Sequence, residues 1–174
     1  MKVHGWVGIR FQTNENEEYN EIVIHVKCSE NDATLQQETL GSLGVNLIYG
    51  AYYYGDNPRK LIESLYDDIA LDKLEIDMID FSGPAFLYVE NRLMSLQLVK
   101  LGMTEAVIFN SDGNNMLPAD VLYKKNIFAV RGSFRPVTLV NIDMFENGLE
   151  MFAKDANCEK KQTEVLFEIT IANL

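Results

Sequence analysis

No stretch of this chain approaches the roughly 18 to 20 consecutive apolar residues of a membrane-spanning helix, and its first residues lack the basic and apolar regions of a signal peptide, so a cytoplasmic location is expected. Cysteine is scarce. Cys28 and Cys158 stand far apart without CxxC spacing, which excludes a zinc-ribbon or redox motif and predicts two free thiols, Cys28 on a strand and Cys158 in a polar connection. Positive charge is also thin: 15 Lys and Arg against 26 Asp and Glu leave a net charge of −11, the wrong sign for a general nucleic-acid surface. The two histidines, His4 and His25, offer no Ser/His/Asp or Cys/His spacing, and each is expected to be structural. His25 should face water or a neighbouring layer. Neither G-x-G-x-x-G nor G-x-x-x-x-G-K-[ST] occurs, which removes the two familiar phosphate cradles. No metal-ligand set and no particular cofactor is indicated.

What is present describes a folded α/β chain. With 174 residues, 47% hydrophobic and 24% charged, residues 1–174 can bury a core as one domain without disulfides or metal. Val3–Gln12 and Glu21–Cys28 alternate as two strands of a hairpin. Asp32 can cap a helix over Leu35–Leu43, and Gly41 within it costs about 1 kcal/mol relative to alanine. Val45–Tyr54, almost continuously apolar or aromatic, suits a central strand covered on both faces, with Gly50 allowing another backbone close. Asn57 and Pro58 open an amphipathic helix carrying Leu61, Ile62, Leu65 and Ile69.

From Lys73 to Asn110 the pattern is strand, Ser82-Gly83-Pro84 break, helix from Asn91 to Gly102 and strand, the order of a βαβ unit. That helix is apolar around most of its circumference and should be deeply buried or shielded by a partner. Pro118 opens a short helix, Ile127–Arg131 is a further strand, Phe145, Leu149 and Phe152 mark a later helix, and Val165–Ile171 closes as a strand. The order predicts a mixed β-sheet in which an N-terminal β-hairpin is followed by βαβ-type units with helices packed on the sheet.

In such folds ligands bind beyond the carboxyl ends of the strands. These ends are expected at Tyr54–Asp56, Asp80–Pro84, Asn110–Gly113 and Arg131–Thr138. Arg131 and Arg135, flanking Ser133, are the strongest anion-binding candidates, because two guanidinium forks can grip a carboxylate or phosphate. Pairing with some of the many acids is the competing reading. Asp80 and Asp112 could hold a magnesium ion or a ribose hydroxyl, although a turn also explains Asp112 before Gly113, and Ser82 and Asn110 are neighbouring hydrogen-bonding groups. Tyr52, Tyr53 and Tyr54 fit a core or interface better than a base-stacking platform.

Several blocks, His4–Gln12, Gly44–Gly50, Glu75–Ile79 with Phe81–Pro84, Asn91–Val99, and Val121–Lys125 with Arg131–Thr138, together make the chain resemble a family of uncharacterised bacterial proteins along nearly its whole length. Members of that family are longer, so the resemblance implies a natural short form or a fragment. Names attached to such relatives include nicotinate-nucleotide adenylyltransferase and TonB-dependent receptor. The first implies His-x-Gly-His near the first strand, whereas His4 is followed here by Gly5 and Trp6; the second implies many more alternating strands than 174 residues supply. The leading expectation is a domain that binds a small anionic metabolite, a nucleotide or phosphate ester, at its strand ends. A noncatalytic assembly module, whose sheet edge or apolar helix at Leu93–Leu101 meets a second copy or an absent domain, is the alternative, and a nucleotidyltransferase-like enzyme is the third.

Overall fold

The computed structural model describes residues 3–154 and 163–173. It contains both helices and strands, in two compact units, Met1–Leu117 and Pro118–Leu174. Among the described residues no helix is long and apolar enough to cross a membrane.

In the first unit, β1 (Val3–Phe11) and β2 (Asn20–Cys28) form the expected antiparallel hairpin, with Trp6 opposite His25 and Ile9 opposite Ile22. The hairpin continues into β3 (Leu74–Ser82), which lies antiparallel on the other side of β2. Alternation makes one face of this sheet apolar. Ile22, Ile24 and Val26 of β2 meet Phe81, Ile79 and Ile76 of β3, and the helices cover them. The opposite face carries His4, Trp6, Arg10, His25 and Lys27.

The helical layer comprises α1 (Ala33–Tyr53), α2 (Pro58–Ser64) and α3 (Asn91–Lys100). Asp32 caps α1 by accepting from the N–H groups of Thr34 and Leu35, and Asn57 caps α2 through Lys60 N–H. Gly102, at φ +73°, ends α3: its own N–H reaches the Val99 carbonyl and that of Met103 reaches Leu98, which together satisfy two terminal acceptors.

Three expectations change here. Val45–Tyr54 is not a central strand but, up to Tyr53, the second half of α1. Leu43, Leu47, Gly50 and Ala51 recur at helical spacing and are buried, while the opposite side of the helix is also apolar and exposed. A helix apolar on two sides reads as a continuous run. Gly50 does permit a close approach, but between helices, since a Cβ there would stand 3.0 Å from Ser64 Oγ and 3.1 Å from Leu61 Cγ.

The segment Lys73–Asn110 does not form a parallel βαβ unit. β3 runs antiparallel to β2, and the strand expected at Thr104–Asn110 shrinks to β4 (Ile108–Phe109), paired antiparallel with β5 (Asn115–Met116). The outer edge of β3 is occupied by other groups. Met103 carbonyl accepts from Ile76 N–H, the Asn91 side chain bonds both N–H and C=O of Phe81, and Asn115 Nδ2 donates to the Ile79 carbonyl. α3, expected to be deeply buried or shielded by a partner, buries Met94, Ser95 and Leu98 and leaves Leu93 exposed.

The second unit holds α4 (Pro118–Leu122), β6 (Asn126–Arg131), α5 (Leu139–Ala153) and β7 (Thr163–Glu168). β6 and β7 pair in parallel with α5 between them in sequence, so the βαβ order occurs here. Thr138 and Asn141 form a reciprocal capping box at the start of α5. Phe128 packs against Phe145 and Phe152, and Phe167 against Phe134 and Phe145. The strand expected to reach Ile171 stops at Glu168, and Ile171 enters a short 3-10 turn. Cys28 is a buried free thiol, as expected; Cys158 lies outside the described residues.

Candidate functional site

The expected site residues divide between the two units. Arg131, Ser133 and Arg135 belong to the second, in β6 and the loop after it. Arg131 is 72% exposed in its side chain, and its guanidinium donates to Glu168 on the neighbouring strand at 2.7 Å. The acid-pairing reading therefore describes Arg131, because parallel register sets Arg131 beside Glu168. Ser133 and Arg135 are exposed, and Phe134 between them turns back at φ +51° to pack on Phe167.

Asp80, Ser82, Asn110 and Asp112 belong to the first unit. Ser82 is exposed at the end of β3, opposite Glu21. Asn110 shapes the β4–β5 turn, its Oδ1 accepting from the N–H groups of Asp112 and Asn114. Asp80 and Asp112 meet in an open cleft of about 420 Å³ between the end of β3, the start of α3 and the β4–β5 turn. Glu90, Arg92, Asn114 and Asn115 also line it. Arg92 donates to Glu90 and its side chain crosses Gly113, where a Cβ would come within 3.0 Å of the guanidinium.

Two acceptors at this cleft lack donors among the described residues. The Asn115 amide is oriented by its donation to the Ile79 carbonyl, which leaves its Oδ1 buried and unpartnered. Asp80 makes no hydrogen bond or ion pair there, and its carboxyl is held above the usual carboxylate range, first by burial and then by repulsion from Glu21. The native chain thus keeps the Asp80 proton more readily than the unfolded chain, and stability falls as pH rises between the ordinary and the raised value. Asp80→Asn is expected to raise the thermal midpoint slightly at pH 7. The difference should close below about pH 3, where the carboxyl is protonated in both states.

A second constellation escaped sequence reasoning. His25 is not turned to water but is 1% exposed, and its Nδ1 lies 2.6 Å from Asp77 Oδ1. The other Asp77 oxygen is 2.7 Å from Lys27 Nζ, which also reaches Glu75 at 3.3 Å; Glu75 in turn accepts from Thr104 Oγ1. The rings of Trp6 and His4 lie against His25, with centroids 4.9 and 5.6 Å away. Burial works to lower the Lys27 pKa, but attraction and hydrogen bonding from Asp77 and Glu75 outweigh it, so the group is raised overall. Its stabilising contribution is therefore complete at neutral pH and is lost only in alkaline solution.

A β-bulge at His25/Val26 makes this cluster. Val26 pairs with Ile76 and His25 with Met78, which leaves Asp77 as the extra residue of β3. The signal was in the sequence: inward residues run Leu74, Ile76, then Ile79, Phe81, a three-residue step where strict alternation has two. Such a buried His–Asp pair orders an imidazole as hydrolytic triads do, but no hydrogen bond joins His25 to a serine, threonine or cysteine among the described residues. Nor, among the described residues, do three His, Cys, Asp or Glu side chains gather there to hold a metal. Comparison with protein-family models, curated proteins and solved structures finds no match to the chain.

Proposed function

We propose that the chain works in the cytoplasm as a noncatalytic binding domain whose cleft at the end of β3 takes a small ligand rich in hydrogen-bond donors, such as a polyol, the ribose of a nucleoside, or an ammonium compound. The observation that carries this reading is the buried, unpartnered Asn115 Oδ1 at a cleft also lined by Asp80, a half-buried carboxylate with no donor among the described residues. A buried acceptor without a donor costs roughly 1–3 kcal/mol, which a hydroxyl or ammonium group would recover on binding. The wall also sets the ligand's charge: Asp80, Glu90 and Asp112 outnumber Arg92, which favours a neutral or cationic group over the anion that Arg131 and Arg135 suggested. The volume lies within the usual range for small-molecule sites.

Thermal unfolding against a panel of sugars, nucleosides and amines tests this. A ligand at about 100 times its dissociation constant adds roughly 2.7 kcal/mol, a rise on the order of 5 to 10 °C. The shift should disappear in Asp80→Asn and weaken in Asp112→Ala. An unmoved midpoint across the panel, or an equal shift in Asp80→Asn, would remove the cleft from consideration.

A further inference from the structure

We infer that the free edge of β1 and the helix above it form a two-fold interface with a second copy of this chain. β1 is the outer strand of its sheet, and among the described residues no backbone hydrogen bond engages its far edge. It has none of the features that usually blunt an edge: nine residues pair with β2 in unbroken register, without proline, lysine or bulge. Its one full charge, Arg10, is held by Glu21.

The helix packed on this edge strand is α1. Val45, Ile48, Tyr49, Tyr52 and Tyr53 follow one another at helical spacing on its outer side, and all are exposed, Tyr52 at 81%. The three tyrosine rings alone present on the order of 400 Å². Together with the strand edge this approaches the ~800 Å² per partner of a standard interface. A two-fold axis that pairs β1 with its copy brings the two α1 helices together as well, so one operation covers both open surfaces.

Charge identifies the occupant as a second copy. The chain carries 26 acidic residues and a net charge of −11, so two copies repel over most of their surface. Val3–Phe11 contains no acidic residue, and Thr39–Gly55 contains no charged residue of either sign. The strand is also self-complementary. Antiparallel pairing about Val7 sets Trp6, 55% exposed, over Gly8 of the second copy, and the reverse, an aromatic covering a cross-strand glycine.

Light scattering at tens of micromolar tests the inference on the whole chain. The expected mass is twice the 19.8 kDa of one chain. Tyr52→Asp, on a side chain that is 81% exposed, should return a folded monomer. Val7→Cys, in a Cys158→Ser background, should form a covalent dimer on mild oxidation, because the two-fold axis sets the two thiols directly opposite each other. A monomeric parent chain, a dimer that Tyr52→Asp leaves intact, or an open-ended polymer would each overturn it.

Discussion

Asp77→Ala is expected to destabilise the first unit by about 1–3 kcal/mol, the cost of leaving a buried imidazole N–H without its acceptor. Asp77 is 2% exposed and holds His25 at 2.6 Å and Lys27 at 2.7 Å. Its removal leaves a buried imidazole and a partly buried ammonium facing an empty space. Asp77→Asn keeps an acceptor for His25 Nδ1 while giving up the charge opposite Lys27, so its loss should be clearly smaller. Urea unfolding followed by Trp6 fluorescence measures both, since Trp6 is the sole tryptophan and lies 4.9 Å from the His25 ring. Equal, small effects of the two substitutions would mean that the network contributes little beyond packing.

Gly83→Ala is expected to cost more than about 3 kcal/mol, through two separate causes. Gly83 sits at φ +103°, a conformation that strains any residue with a Cβ by roughly 1–3 kcal/mol. The added carbon would also stand 2.5 Å from the Tyr19 carbonyl and 2.7 Å from Asn20 Cα, both backbone atoms that cannot swing away. At this contact Asn20 Oδ1 accepts from Ala85 N–H, tying the hairpin to the end of β3. The same urea experiment should show the loss, whereas Gly5→Ala, where a Cβ meets nothing within 4 Å, should stay close to the parent chain. A Gly83→Ala midpoint equal to that of Gly5→Ala would show that this loop readjusts without penalty.

These residues differ in how far sequence pattern could expose them. Ser82-Gly83-Pro84 could be read as a strand break because glycine and proline act through their own backbone geometry. The approach of Tyr19 and Asn20 to Gly83 could not, since those residues are distant in sequence. The same holds for the cleft. Asp80 and Asp112 were recognisable as polar groups at element ends, but Arg92 and Asn115 join them through the packing of α3 and β5 beside β3. The role of Asn115 as a cap on the β3 edge depends on what stands next to that edge.

The residues alone specify the features whose causes are local. Alternation marks the β1–β2 hairpin, Asn57 followed by Pro58 starts α2, and Gly102 stops α3. Each depends on backbone preferences or on a period that one segment carries within itself. Tertiary structure decides where two solutions are locally close. Val45–Tyr53 is rich in β-branched and aromatic residues and apolar on two sides, so the fit of Leu43, Leu47 and Gly50 against the core makes it helical. Likewise His25, Lys27 and Asp77 become one network only when β3 pairs antiparallel to β2 with an extra residue at the bulge, because the register between strands, and not the spacing along them, determines which charges meet.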